Sequence, residues 1–481
     1  MWSEGAPAET VSRLVVVSNR VTPVSGSKAA TAGGLAVGVL AALRESGGIW
    51  FGWSGEIADT GGPMPKVFRT ANITFITIDL SQADFDGYYG GFANRTLWPL
   101  FHYRLDLSSF DRDWYITYRR VNRLFAEQLY PYLRDDDLVW IQDYQLIPMG
   151  EELRQLGVRC RLGFFLHIPF PSAEVYITLP WHDRLMQAFC AYDLVGFQTS
   201  NDLRNFHDYM YREGIGYALA NGLVQAFERT LRAQDFPIGI DADGFAQMAV
   251  SAEAVRASQR LSRSLLGRKL IIGVDRLDYS KGIPERLRAY ETLLQNYPAQ
   301  RRQVTFVQIS APSREDVPEY AEIRAQVEAT AGRINGRFSE FDWAPLRYIN
   351  RGFTRRTLAG FFRLSRVGLV TPLRDGMNRV AKDYVAAQSE EDPGVLVLSR
   401  FAGAADELDG ALIVNPYDLE AVAEAMHLGL TMPLDERQDR WRRLLAQVKQ
   451  HDIVQWRQSY VEALAQAPAP AEADTGESHR L

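Results

Sequence analysis

Short apolar runs alternate along most of the chain with longer stretches in which apolar residues recur every three or four positions. In the first half, Leu14–Val17, Leu138–Ile141, Leu162–Leu166 and Leu194–Phe197 predict buried strands, and another is expected to end at Pro237–Ile240. The second half repeats the pattern with Leu270–Val274, Val304–Ile309, Leu346–Ile349, Val367–Val370, Val395–Leu398 and Leu412–Val414. Helical spacing runs through Tyr118–Tyr132, Pro284–Asn296, Glu319–Ala331 and Gln450–Leu464. Strands alternating with helices give βαβ units and parallel sheets, so the chain reads as α/β with two doubly wound, Rossmann-like domains. Ligands of such domains sit at the carboxyl ends of the strands, here in a cleft between the two. The expected division is a loose arm over 1–12, a first domain over 13–241, a second over 242–449, a closing helix over 450–465 and a disordered tail over 466–481. The boundary falls where a helical connector begins, near Asp241–Ser251.

Leu369–Gln388 organises the rest. An apolar strand empties into Pro372, Asp375, Gly376 and Asn378, which are turn and cap residues, and helical spacing resumes from Arg379. A glycine turn opening a helix presents free N–H groups where the helix dipole favours negative charge, which suits a phosphate. Gly33 and Gly34, in AGGLAVG, offer a second close backbone approach to a ligand, in neither the dinucleotide nor the P-loop spacing. Arg276 and Lys281, in DRLDYSKG, follow a strand and can neutralise a diphosphate; the competing reading is a surface loop with a local Asp278–Lys281 pair. Asp383, two turns into the helix, can accept from ribose hydroxyls or be a solvated acid beside Lys382. Asp143 and His167 end buried strands, and Arg20 and Arg314 end one strand in each half, placed to converge on a second anion. Trp50, Phe51 and Trp53 among glycines, with Tyr88, Tyr89, Trp98, Phe101, His102 and Tyr103 beyond them, supply either core or a wall for sugar rings. The strings DFDG (84–87) and DADG (241–244) read as turns.

Composition narrows the partners. At 481 residues, 46% hydrophobic and 23% charged, the chain is globular, and its net charge of -6 speaks against general affinity for nucleic acid. Arg119, Arg120 and Arg123 form its most basic cluster, read as a solvated helix face. Cys160 and Cys190 stand in apolar surroundings, as reduced core thiols do, which points to the cytoplasm. Neither a signal-peptide pattern nor a membrane-length apolar run is present, and seven scattered histidines give no metal-ligand spacing.

The motifs VVVSNR, AGGLAVG, WFGWSG, LWPLFHYR, FFLHIPFP, GFQT, RLDYSKG, RINGRF, TPLRDGMN, VAK, SRFAGAA and NPYD follow one another in this order. Over about Arg13 to Leu464 the sequence resembles the trehalose-6-phosphate synthases, family 20 retaining glycosyltransferases with the two-domain GT-B fold. The resemblance implies glucose transfer from UDP-glucose to glucose 6-phosphate, giving α,α-trehalose 6-phosphate and UDP, with no metal or other cofactor. It implies that Arg276 and Lys281 hold the diphosphate and carry catalysis, with Asp143 and His167 beside them. Asp375 would bind the donor glucose hydroxyls, and the N–H groups of Gly376, Met377 and Asn378 the sugar and diphosphate. Asp383 would take the ribose, Gly33 and Gly34 would close over the donor, and His167 would lie near the sugar's 6-hydroxyl. Arg20, Trp53, Tyr89, Trp98, Asp143 and Arg314 would form the acceptor pocket. A homo-oligomer, dimer or tetramer, and a separate downstream trehalose-6-phosphate phosphatase are further implications. The chain departs from the pattern at Gln142 and Gln145, which replace histidines, at Asp383 for glutamate and at Arg379 for leucine. These departures leave GDP-glucose or ADP-glucose open as donors, or a catalytically silent sugar-phosphate sensor; a sibling glycosyltransferase with another phosphorylated acceptor, such as glycerol 3-phosphate, is the remaining alternative.

Overall fold

A computed structural model describes residues 12–468 apart from 22–38, 41–42, 45–46, 60–63 and 315–316. The expected arm, the Gly33–Gly34 loop and most of the tail lie outside the described residues. Ten described strands form the first sheet: β1 (Leu14–Arg20), β2 (Gly48–Ala58), β3 (Lys66–Thr70), β4 (Ile73–Ser81), β5 (Leu138–Gln142), β6 (Arg161–Phe165), β7 (Leu194–Phe197), β8 (Gly216–Ala218), β9 (Leu223–Ala226) and β10 (Arg229–Asp235). Their order is β3-β4-β2-β1-β5-β6-β7-β10-β9-β8, parallel through the centre, with antiparallel β3/β4 and β8/β9/β10 at the edges. The second sheet holds β11 (Lys269–Arg276), β12 (Val304–Ala311), β13 (Leu346–Ile349), β14 (Val367–Val370), β15 (Val395–Ser399) and β16 (Leu412–Val414), all parallel, in the order β13-β12-β11-β14-β15-β16.

Central strands covered on both faces need unbroken apolar runs, and β5, β7, β14 and β15 are buried at every residue. Trp50 and Phe51 of β2 are core residues and not part of a sugar wall. Cys160 and Cys190 are buried, and burial pushes both thiols up to about 12. Arg119 pairs with Glu151 and Glu152, Arg120 with Asp84 and Arg123 with Glu127, so the basic helix face is internally neutralised.

Four expectations about elements need correction. The last strand of the first sheet stops at Asp235, because Pro237 has no N–H to continue a ladder, and 236–240 is an extended crossing to the second domain. DFDG is helical: Asp84 ends the turn Gln82–Asp84 and Phe85 opens the π-helix Phe85–Leu97. In DADG, Asp241 caps the helix Ala242–Ala249 by accepting from the Gly244 N–H. The closing helix does not begin at Gln450, which ends the helix Leu434–Gln450; Asp452 caps a new helix, Ile453–Ala465. That last helix returns to the first domain, where Tyr460 stacks on Trp140 at 4.5 Å. Its start lies beside the outgoing crossing, the Ile453 N–H donating to the Ile240 carbonyl at 3.2 Å. Buried Lys382 ties the crossing down, reaching the Ile238 carbonyl at 2.9 Å and Glu407 at 2.5 Å.

Candidate active site

The carboxyl ends of both parallel sheets face one cavity of about 480 Å³. The first domain contributes Trp98, His102, Asp143, His167 and Gln198 to its lining; the second contributes Arg276, Lys281, Asp375, Asn378, Arg379 and Asp383.

On the second domain's side, β14 runs into the turn 371–378 and then the helix Arg379–Ala387. Asn378 adopts φ +68°, a left-handed conformation that asparagine tolerates better than most residues, and it aims the turn's backbone inward. The N–H groups of Gly376, Met377 and Asn378 donate to no acceptor among the described residues. A Cβ on Gly376 would lie 2.2 Å from the His167 carbonyl oxygen, so only glycine lets the two domains' backbones meet here. Lys281 does not pair with Asp278. Its Nζ bonds Asp375 at 2.5 Å, and Asn378 Nδ2 donates to the same carboxylate at 3.0 Å. The turn that presents Lys281 ends at Gly282, at φ +64°, packed so that a Cβ would fall 2.5 Å from the Thr371 carbonyl oxygen.

Asp278 is wholly buried. Its carboxylate accepts from Tyr320 Oη at 3.0 Å and from Ser280 N and Oγ at 2.9 Å each. Arg314 lies 3.5 Å away and Arg276 3.9 Å. Burial opposes its charge, but Arg314, Arg276 and Lys281 outweigh that and hold it at about 2. One acid thus orients a cation expected at the diphosphate and one expected at the acceptor. Beneath them, fully buried Arg286 joins three strand ends, through Asp275 at 2.5 Å, Gln308 at 3.0 Å and Thr371 at 3.0 Å, and bonds the Lys281 carbonyl at 3.2 Å. Asp383 is not a solvated acid: it lines the cavity, lies 3.7 Å from Arg355, and its Oδ1 has no hydrogen-bond partner. Lys382 points away, into the interdomain crossing. Arg379 enters no hydrogen bond or ion pair among the described residues.

On the first domain's side, Asp143 follows β5 at φ +76° and accepts from the His167 N–H at 3.1 Å. Burial pushes its carboxyl up to about 6, against the pull of the His167 and Tyr144 N–H groups and of Arg314 and Arg276. His167 Nε2 lies 2.8 Å from Gln142 Oε1 and Nδ1 3.3 Å from Gln198 Nε2, which makes Nε2 the protonated nitrogen. Burial, then the charge of Arg379, lowers His167 to about 3, so the ring is neutral at working pH with both nitrogens engaged. Trp98 carries two cations, Arg314 at 3.9 Å and Arg276 at 5.4 Å from its ring. Arg314 also donates to Tyr144 Oη at 3.1 Å and bonds Tyr320. Arg20 lies over Trp53 at 5.6 Å, and Trp53 meets Tyr89 at 6.2 Å. Among the expected acceptor residues Trp98 and Asp143 line the cavity, Arg314 packs on Trp98, and Arg20, Trp53 and Tyr89 form an adjoining group.

Three contributors escaped the sequence reading, and His102 reads from the sequence only as core or sugar wall. His102, stacked on Trp98 at 4.1 Å and lowered to about 4 by burial, lines the cavity; Tyr144, Tyr320 and Gln198 fix Arg314 and His167. The signal for His102 and Gln198 was their place inside LWPLFHYR and GFQT. Nothing in the local sequence marks Tyr320. Among the described residues no group of three His, Cys, Asp or Glu side chains is placed to hold a metal ion, and no helix is long and apolar enough to cross a membrane.

Known proteins share the fold and about half of the residues of this chain. A relative from Sinorhizobium fredii, named trehalose-6-phosphate synthase, is 51% identical over 456 residues, covering 94% of this chain and 98% of its own. The crystal structure of a UDP-forming α,α-trehalose-phosphate synthase from Burkholderia xenovorans in complex with glucose-6-phosphate superposes with a TM-score of 0.90 at 52% identity, over 94% of this chain and all of that one. The Escherichia coli structure bound with UDP-2-fluoro glucose gives 0.92 at 47% identity, over 95% of this chain and 100% of that one. The two Rossmann-like sheets are thus the GT-B arrangement of these enzymes. With the glycosyltransferase family 20 model matching residues 12–466, nearly the whole described chain, the protein belongs to glycosyltransferase family 20.

Proposed function

We infer that the chain transfers glucose from UDP-glucose to glucose 6-phosphate with retention, forming α,α-trehalose 6-phosphate and UDP. The observation that carries the reading is the one cavity lined on the second domain's side by Arg276, Lys281 and by Met377 and Asn378 with their free N–H groups, facing Asp143 and Trp98 of the first. Arg276, Lys281 and a helix N-terminus suit a leaving diphosphate, and Arg314 on Trp98, with Arg20 over the adjoining Trp53, suits a sugar phosphate. Relatives with the same fold bind a UDP-glucose analogue and glucose 6-phosphate, as the E. coli and B. xenovorans structures are described. The test is to supply both substrates, follow UDP release and identify the disaccharide phosphate; no release with any nucleotide sugar would favour a silent sensor.

In the proposed mechanism the acceptor hydroxyl attacks on the face from which UDP departs, and the leaving phosphate oxygen takes its proton. Lys281, Arg276 and the N–H groups of 376–378 stabilise the charge growing on the diphosphate. Asp375 orients the donor glucose hydroxyls and Asp383 the ribose. His167, neutral and doubly bonded, shapes the sugar pocket and moves no proton. Arg20, Trp53, Tyr89, Trp98 and Arg314 hold the acceptor, and Gly33 and Gly34 cover the donor. Domain limits of 13–241 and 242–449, a cytoplasmic location, a homo-oligomer and a separate phosphatase acting on the product complete the proposal.

Two predictions arise here. Asp143 is proposed to bind acceptor hydroxyls as its anion, so protonation near pH 6 removes that contact. The phosphate of glucose 6-phosphate has its own ionisation at about 6. Log kcat/KM for the acceptor should therefore fall with a slope approaching two below about pH 5.5, and with a slope of one in Asp143→Asn. Equal slopes in the two enzymes would remove Asp143 from this role. In the donor pocket, the unpaired Arg379 guanidinium can meet acceptor atoms of a purine edge. Arg379→Leu should lower GDP-glucose use relative to UDP-glucose by about tenfold, the worth of one charge-assisted hydrogen bond, as read in a competition assay.

A further inference from the structure

Behind the Asp375–Gly376 turn lies a second crevice of about 350 Å³, which also crosses the seam between the domains. Three arginines line it: Arg204 from the helix Ser200–Arg212 of the first domain, and Arg374 and Arg400 from strand-end loops of the second. None of the three has an ion-pair partner among the described residues; Arg204 makes only a 3.4 Å bond to Asn201. The other two guanidiniums are stacked on rings, Arg374 at 4.0 Å over Tyr103 and 5.1 Å over Phe401, Arg400 at 5.9 Å over Phe401, which leaves their N–H edges available.

Three carboxylates also line the crevice, and two are already committed. Asp375 is bound by Lys281 and Asn378. Asp202 accepts from the Thr199 hydroxyl at 2.7 Å and the Phe170 N–H at 2.9 Å, and burial raises its carboxyl. Asp406 acts on Arg204 and Asp202 on Arg374, so two carboxylates oppose three arginines, which still outnumber them. The Asp375–Gly376 turn is the wall shared with the donor cavity, and it is held to the loop beside Arg400 by Asp375 N donating to the Phe401 carbonyl at 3.0 Å and Gly403 N to the Asp375 carbonyl at 3.2 Å.

We propose that this crevice is a second anion site, separate from donor and acceptor, which takes a dianionic phosphate, free or as a small monoester, bridging Arg204 of one domain to Arg374 and Arg400 of the other. A planar guanidinium binds phosphate through paired N–H groups, and three converging from two domains match a tetrahedral dianion. The crevice has room for more than a bare phosphate, which is why a monoester is included.

Arginine modification by phenylglyoxal, read at each residue by peptide mass spectrometry, tests the site without turnover. The full chain is labelled with UDP present and ionic strength held constant by chloride, in separate arms with inorganic phosphate and with glycerol 2-phosphate. Labelling of Arg204, Arg374 and Arg400 should fall together by about tenfold when the ligand reaches roughly ten times its dissociation constant. Exposed Arg302 on the far loop should be unaffected. Protection by both ligands identifies phosphate itself, and protection by glycerol 2-phosphate alone identifies a monoester. In Arg400→Ala, protection of Arg204 should be lost, because the shared ligand is lost. Protection no better than that of Arg302, or protection of Arg204 that survives in Arg400→Ala, would overturn the proposal.

Discussion

Lys281→Ala is expected to lower kcat by roughly 10²–10³-fold with both substrates saturating, the usual cost of removing one preorganised charge from a developing oxyanion. Lys281 is only 12% exposed and is fixed before substrate arrives, through Asp375 and through the turn closed by Gly282. Such a cation needs no reorganisation when the sugar–phosphate bond breaks, so its contribution falls mainly on the transition state. Steady-state kinetics separates the alternatives: kcat and kcat/KM should fall together, whereas a rise in KM with kcat unchanged would make Lys281 a ground-state anchor only. Lys281→Arg should recover part of the loss, since charge is kept while the compact ammonium geometry is not.

The strand, turn and helix around this lysine were legible because each depends on local chemistry. The run ending at Val370 needs only burial on both faces, and Asn378 and Arg379 mark the helix start where it is observed. Partner choice was not legible in the same way. Asp278 stands three residues from Lys281 and looks like its partner, yet the carboxylate that reaches Lys281 is Asp375, 94 residues away, and Asp278 turns inward to Arg314. Only closure of β11 against β14 decides between them. The same holds for Asp383 and Lys382, adjacent on one helix, where the acid faces the cavity and the lysine faces the interdomain crossing. Helix ends failed for a related reason: the periodicity of Gln450–Leu464 is continuous across two helices, and the break is made by one capping carboxylate, Asp452.

Arg286 should be the costliest single truncation for stability. Arg286→Met is expected to destabilise the fold by roughly 3–5 kcal/mol, because it strands buried Asp275 without its counter-charge. Gln308, Thr371 and the Lys281 carbonyl lose a partner at the same time, so the donor-side loops should loosen together and kcat should fall even where the variant remains folded. Urea unfolding, read at its first cooperative transition, measures the loss. The double variant Arg286→Met/Asp275→Leu discriminates the cause. If the penalty is mainly an orphaned buried charge, replacing both partners by apolar side chains should restore most of the stability while leaving kcat low. If the double variant is as unstable as the single one, the hydrogen bonds to Gln308 and Thr371, and not the ion pair, hold the three strand ends under the active site.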